Sequence, residues 1–322
     1  MNKQSIEDHF DQIRSRMGCD SHDTGLYDST TRLIRLKTAL NIIGKQTNID
    51  IGEVYKHFPV ACVAVLETYF KTLIACFIDS GSPYFDRGLL LAKDKLRSVD
   101  IVPILNRKKV TVGQLVSHIL PFNSLASIEN AFDCLLDEKF KKVASKTRPI
   151  HAVRLNIEDA KPITKDISEL WRKLTILFER RHILAHEAAI NYEVSFKDAQ
   201  DAIDCTEELI YILDSILWST AWANEPISNV EMKKVAYEDL KDTREKLASI
   251  LWKALCVAKK TNQKSRFINL HSSWKKYAKD CIAWEHEPFE MGSIRPLIAY
   301  GAESRILKQR LEDLSIFIAH NE

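Results

Sequence analysis

The most hydrophobic run in the chain, Phe58 to Ile78, is interrupted by only two charged residues, Glu67 and Lys71. Its apolar side chains wrap most of a helical circumference, so a helix here must lie in the middle of a fold. The two charges make it a core helix and not a membrane span. Ser80-Gly81-Ser82-Pro83 supplies the stop, with glycine at a C-cap and proline just beyond it.

The rest of the sequence is consistent with an all-α protein. Only 9 glycines and 9 prolines occur in 322 residues, which favours long helices with few turns. A first helix is expected over Ser29 to Lys45, with another before it in Ile6–Met17. Two shorter helices are expected at Thr111–Ile119 and Leu125–Lys142, turned at Pro121 and Asn123. Lys146–Pro162 is basic and irregular and reads as a loop, with a short strand at His151–Ile157 as the alternative. Leu170, Leu174, Leu177, Ile183 and Leu184 then recur at helical spacing, after Thr164 or Asp166 as N-cap. Ser195 and Asp198 resemble a capping box opening a helix to about Thr220.

Asn224-Glu-Pro226-Ile-Ser228-Asn229 is the best linker, and it divides the chain into domains of residues 1–224 and 225–322. Beyond it charges rise, and helices are expected at about 231–260, 265–285 and 303–320. A net charge of +2 is not the strongly basic balance of a chain that grips nucleic acid over a large surface, so any such site is expected to be a local cluster. The seven cysteines, at 19, 62, 76, 134, 205, 256 and 281, include no CxxC pair. This argues against a disulfide framework and points to a reducing compartment. Met1 to Arg16 is polar and lacks the apolar stretch of a signal peptide, so a cytoplasmic location without a membrane is expected.

The stretch with the most chemistry is Phe178-Glu-Arg-Arg-His-Ile-Leu-Ala-His-Glu187. On a helix His182 and His186 lie about 40° apart and Glu179 about 20° from His186, whereas Arg181 sits about 140° from His186. One regular helix therefore does not easily aim Arg181 and His186 at one point; a distorted helix end or a second copy would be needed. Three readings remain open. The first is a charged helix end that meets the negative end of the dipole. The second is a metal held by His-x3-His or by Glu179-x-x-His182, although the second Glu-x-x-His of a di-iron bundle is missing. In the third a histidine moves protons while an arginine holds a phosphate, which is the chemistry of metal-free RNA cleavage with the ribose 2′-OH as nucleophile.

Arg181-His182-x-x-x-His186 resembles the R-[NHD]-x-x-x-H signature of HEPN ribonucleases. Val65-Leu66-Glu67-Thr-Tyr69-Phe70 is similar to the Leu-Glu pair followed by aromatics on that family's early hydrophobic helix. The resemblance covers roughly residues 35–220 and is nearest the bacterial defence and toxin branch. It implies a helical bundle and a metal-independent endoribonuclease needing no cofactor. Its substrate would be RNA, its active site a composite one in a homodimer, and its control an antitoxin or inhibitor protein. It also implies that Arg181 contacts phosphate, His186 is the acid/base and His182 supports geometry. Ala188 stands where several toxins of the family carry a modified tyrosine. Glu67 is costly in so apolar a helix unless paired. Arg180 or Arg181 is the expected partner, which would orient the guanidinium; otherwise Glu67 simply reaches the bundle surface. A catalytically silent binding or regulatory module of the same family is the alternative.

In the second domain Trp274-Lys-Lys-Tyr277-x-x-Asp280-Cys281, Gly292-Ser293-Ile294-Arg-Pro296 and Arg310-Leu-Glu-Asp-Leu314 resemble the lysozyme-inhibitor LprI-like domain. Periplasmic members of that family pair the cysteine after the tryptophan motif with another near Gly301. Ala302 stands at that place, which leaves Cys281 unpartnered and argues against lysozyme inhibition. A small helical module for dimerisation or for sensing a partner is the preferred reading, with Trp274, Tyr277 and Trp284 in its core.

Overall fold

A computed structural model describes residues 24–45, 52–93, 110–186, 191–289 and 292–321. Among them are twelve α-helices and no strand, so the protein is all-α. The chain divides into two compact units, one ending at Ala223 and the other beginning at Asn224. The expected helix at Ile6–Met17, together with Cys19 and Ala188, lies outside the described residues.

The N-terminal unit is built around the apolar run. Helix α1 spans Thr24–Ile43 and α2 spans Gly52–Asp79. Helix α2 starts six residues ahead of Phe58 and carries Pro59 inside it. It is long and apolar enough to cross a bilayer, and 72% of its most apolar window is buried within the unit. Its covering helices are α1, α3 (Tyr84–Leu91), α4 (Val112–Ile119), α8 (Ile167–His186) and α9 (Phe196–Ser219). Helix α2 ends as its stop signal requires: Gly81 takes φ +97°, a left-handed conformation that suits glycine. The Asp79 carboxylate then accepts from the Gly113 N–H at 2.9 Å and the Thr111 hydroxyl at 2.6 Å, which fixes the start of α4.

The chain departs from expectation in two places between α4 and α8. The segment Leu125–Lys142 is two helices, α5 (Leu125–Leu136) and α6 (Phe140–Lys146). Asp137 turns left-handed at φ 57° between them, and the Asp133 carboxylate accepts from the Phe140 N–H at 2.7 Å, so a side chain takes over where the ladder stops. The segment His151–Ile157 contains no strand; α7 (Ile150–Arg154) is a single helical turn, and Arg154 donates to the Trp222 carbonyl at 3.1 Å.

Helices α8 and α9 carry the caps that position the motif. Asp166 is the N-cap of α8, accepting from the Ser168 and Glu169 N–H groups at 2.8 and 3.2 Å. Ser195 and Asp198 form the full capping box of α9. The Tyr69 hydroxyl donates to Asp214 Oδ1 at 2.5 Å and ties α2 to α9. Burial pushes the Tyr69 phenol up, reinforced by Asp214, and it also pushes the Asp214 carboxyl up.

The C-terminal unit has three long helices: α10 (Asn229–Lys260), α11 (Lys264–His286) and α12 (Arg295–Asn321). A short 3-10 turn, Glu287–Phe289, follows α11. Leu240, Leu247, Ala254, Leu307 and Leu314 form its core along α10 and α12. Only Ala278 of α11 is fully buried. Trp274 is half-buried, but Tyr277 and Trp284, expected in the core, are 62% and 75% exposed. The physical reason is angular: both lie about 100–120° around α11 from Ala278, and a three-helix unit has no neighbour to cover that face.

Candidate functional site

The site grows from the end of α8. Leu170, Trp171, Leu174, Leu177 and Phe178 hold α8 to the core, and no residue of the helix beyond Phe178 is buried, so its last two turns emerge from the packing. His182, one turn beyond the buried Phe178, and His186 are both exposed on this emerging end, with ring centroids 5.0 Å apart and planes tilted by 53°. Glu179 is exposed and falls on the same side by helical spacing.

Arg181 leaves the helix on the flank facing α2. Its guanidinium makes an ion pair with Glu67 at 3.5 Å, with the two side chains 28% and 30% exposed. Glu67 is therefore paired, and of the two candidate arginines Arg181 is its partner. The contact is long and single-pronged, and Nη2 alone is engaged among the described residues. It can hold the direction of the side chain while leaving N–H donors for an anion.

Arg180 points the other way. It donates to Asp198 at 2.5 Å and so clamps α8 to the N-terminus of α9. Burial disfavours the Arg180 charge, but Asp198 and Tyr192 outweigh it and hold the pKa above its ordinary value. Burial also pushes the Asp198 carboxyl up, yet the Ser195 hydroxyl and N–H, with Arg180, hold it below the usual carboxylate range. With its guanidinium taken up in this way, Arg180 is a structural clamp beside the site. The capping-box spacing is the sequence signal that marks Asp198; nothing in the spacing marks it as the acceptor for Arg180.

The structure thus brings His182 and His186 together, gives Arg181 a fixed direction through Glu67, and sends Arg180 away. Helix α8 stays α-helical through His186, so no break in it removes the angle of about 140° between Arg181 and His186. No cluster of three or more His, Cys, Asp or Glu side chains that could hold a metal occurs among the described residues. The architecture and the site define a two-unit helical protein with paired imidazoles and an oriented guanidinium at one helix end. Compared with family models, curated proteins and solved structures, the chain matches none of them.

Proposed function

We propose that the chain is a metal-independent endoribonuclease of the HEPN type, acting in the cytoplasm in an anti-phage defence or toxin–antitoxin setting. The observation that carries this reading is the exposed His182–His186 pair, one residue away from an arginine that a core-helix carboxylate orients. In the proposed reaction a ribose 2′-oxygen attacks the adjacent phosphorus and the bond to the 5′-oxygen breaks. An imidazole accepts the 2′-OH proton, and the imidazolium so formed gives a proton to the leaving 5′-oxygen. Arg181 offsets the charge that builds on the phosphoryl oxygens. His186 is the acid/base, and His182 keeps its ring in place. Glu67 acts through Arg181 and is a positioning residue.

Because α8 aims the guanidinium and the imidazoles at different flanks, a second copy is proposed to complete the site, with Arg181 of one chain meeting His186 of its partner. The test is total RNA from cells expressing the wild-type chain or the His186→Ala variant. Fragmented RNA with the first and intact RNA with the second is the expected outcome. Equal fragmentation by both would remove His186 from the mechanism.

A further inference from the structure

In the C-terminal unit α10 and α11 both pack on α12 but touch each other little, and a cavity of about 510 Å³ opens among the three. This volume falls within the roughly 300–1,000 Å³ of small-molecule sites. Leu247, Leu251, Ile282 and Leu307 give it apolar walls. Trp274 and His271 extend that wall, their rings stacked 5.4 Å apart at 15°. The Arg310 guanidinium lies 5.3 Å from the Trp274 ring, which further restrains the indole.

Two of the three Lys and Glu side chains on this cavity are lysines. Lys275 and Lys279, one helical turn apart on α11, border it, and neither has a carboxylate partner among the described residues. Glu303 also borders it, and the Arg244 guanidinium pairs with its Oε1 at 2.6 and 2.8 Å, which offsets that charge. Burial, with Lys275 and Arg310 nearby, lowers the pKa of His271 and favours its neutral ring. His286 accepts from Arg295 Nε at 3.3 Å. The result is an apolar slot with two uncommitted ammonium groups at one edge.

We propose that this cavity binds a single-chain anionic amphiphile, an acyl carboxylate in its simplest form, with the chain in the apolar slot and the head group on Lys275 and Lys279. A cationic amphiphile would meet like charge at that edge. A small hydrophilic anion would leave the apolar walls uncovered. The proposal does not depend on the nuclease reading.

Calorimetric titration of the full chain with dodecanoate, below its micelle concentration, is the test. One equivalent binds, and dodecyltrimethylammonium, with the same tail and opposite charge, does not. Lys275→Gln with Lys279→Gln weakens dodecanoate about ten-fold, the loss expected for charge-assisted hydrogen bonds. Ala283→Trp, at an exposed position lining the cavity, blocks the slot without touching the core and abolishes binding. The proposal is overturned by failure of dodecanoate to bind, by equal binding of the two amphiphiles, or by binding indifferent to either variant. Sedimentation with anionic phospholipid vesicles in the absence of dodecanoate binding would also overturn it, since a membrane surface would then be the source of the anion.

Discussion

The two units solve the same problem, a helical core, with different material. The N-terminal unit wraps its helices around α2, whose apolar residues face nearly every direction, and its largest fully buried side chains include Tyr69, Phe70, Phe77, Phe132 and Phe140. The C-terminal unit has three amphipathic helices and buries leucines and alanines along one line. A helix that is apolar all round can be covered on all sides, whereas three striped helices share one seam and leave their other faces to solvent. The outcome is a dense unit with a polar site at its rim, and a thin unit with a cavity and exposed aromatics.

This contrast can be broken most severely in the dense core. Phe132 is fully buried, stacks on Phe140 at 4.9 Å and meets Phe70 edge-on at 6.1 Å. Phe132→Ala should destabilise the N-terminal unit by about 3–5 kcal/mol, read by denaturant unfolding. A loss below about 1 kcal/mol would mean that this core is not close-packed.

A smaller effect separates positioning from packing at the rim. Glu67→Gln removes the charge that orients Arg181 and should slow RNA cleavage about ten-fold, or about 1.4 kcal/mol of barrier, with little change in melting temperature. A melting temperature that falls while the rate holds would make Glu67 a packing residue only.

Acid should act on both units, since in the C-terminal one Lys308 and Ser304 hold the Asp239 carboxyl below its usual range. Asp133, Asp198 and Asp201 in the N-terminal unit all titrate below the usual carboxylate range. In each, burial pushes the carboxyl up and is outweighed: by Lys139 and the Phe140 N–H at Asp133, by Ser195 and Arg180 at Asp198, and by Lys197 and Lys173 at Asp201. A depressed folded pKa gives stability that is present above the unfolded value of about 3.9 and is lost as pH falls through the folded one. Asp214, raised by burial, works in the opposite sense. Asp198→Asn should therefore flatten the acid limb of the N-terminal unit's stability curve; an unchanged limb would remove the Arg180 clamp from the account.

The smallest effect is expected on the bare face of the thin unit. Trp284→Ala should change stability by no more than about 0.5 kcal/mol, because the ring is 75% exposed. A larger loss would reveal a neighbour covering it.

The reach of the sequence follows the same divide. Helices α2, α8 and α9 could be read from apolar spacing and from caps such as Ser195–Asp198, because those signals are local. The pairing of Glu67 was foreseeable from the cost of a charge in an apolar helix. The choice of Arg181 over Arg180 was not, because it depends on which neighbour stands on each flank of α8. The left-handed Asp137 that splits α5 from α6 was hidden for a similar reason, since the Asp133–Phe140 bond that supports it forms only in the turn. Tyr277 and Trp284 misled because an aromatic residue signals a core only where enough helices are present to cover it, and the cavity beside α11 follows from the same shortage.

The central claim is that an imidazole and a guanidinium act on one RNA phosphate without a metal. Mass analysis of a short RNA incubated with the full chain in excess chelator tests it most directly. The account predicts a 2′,3′-cyclic phosphate on one product and a 5′-hydroxyl on the other, with neither formed by the His186→Ala variant. Intact RNA, or products ending in a 3′-hydroxyl and a 5′-phosphate, would contradict it.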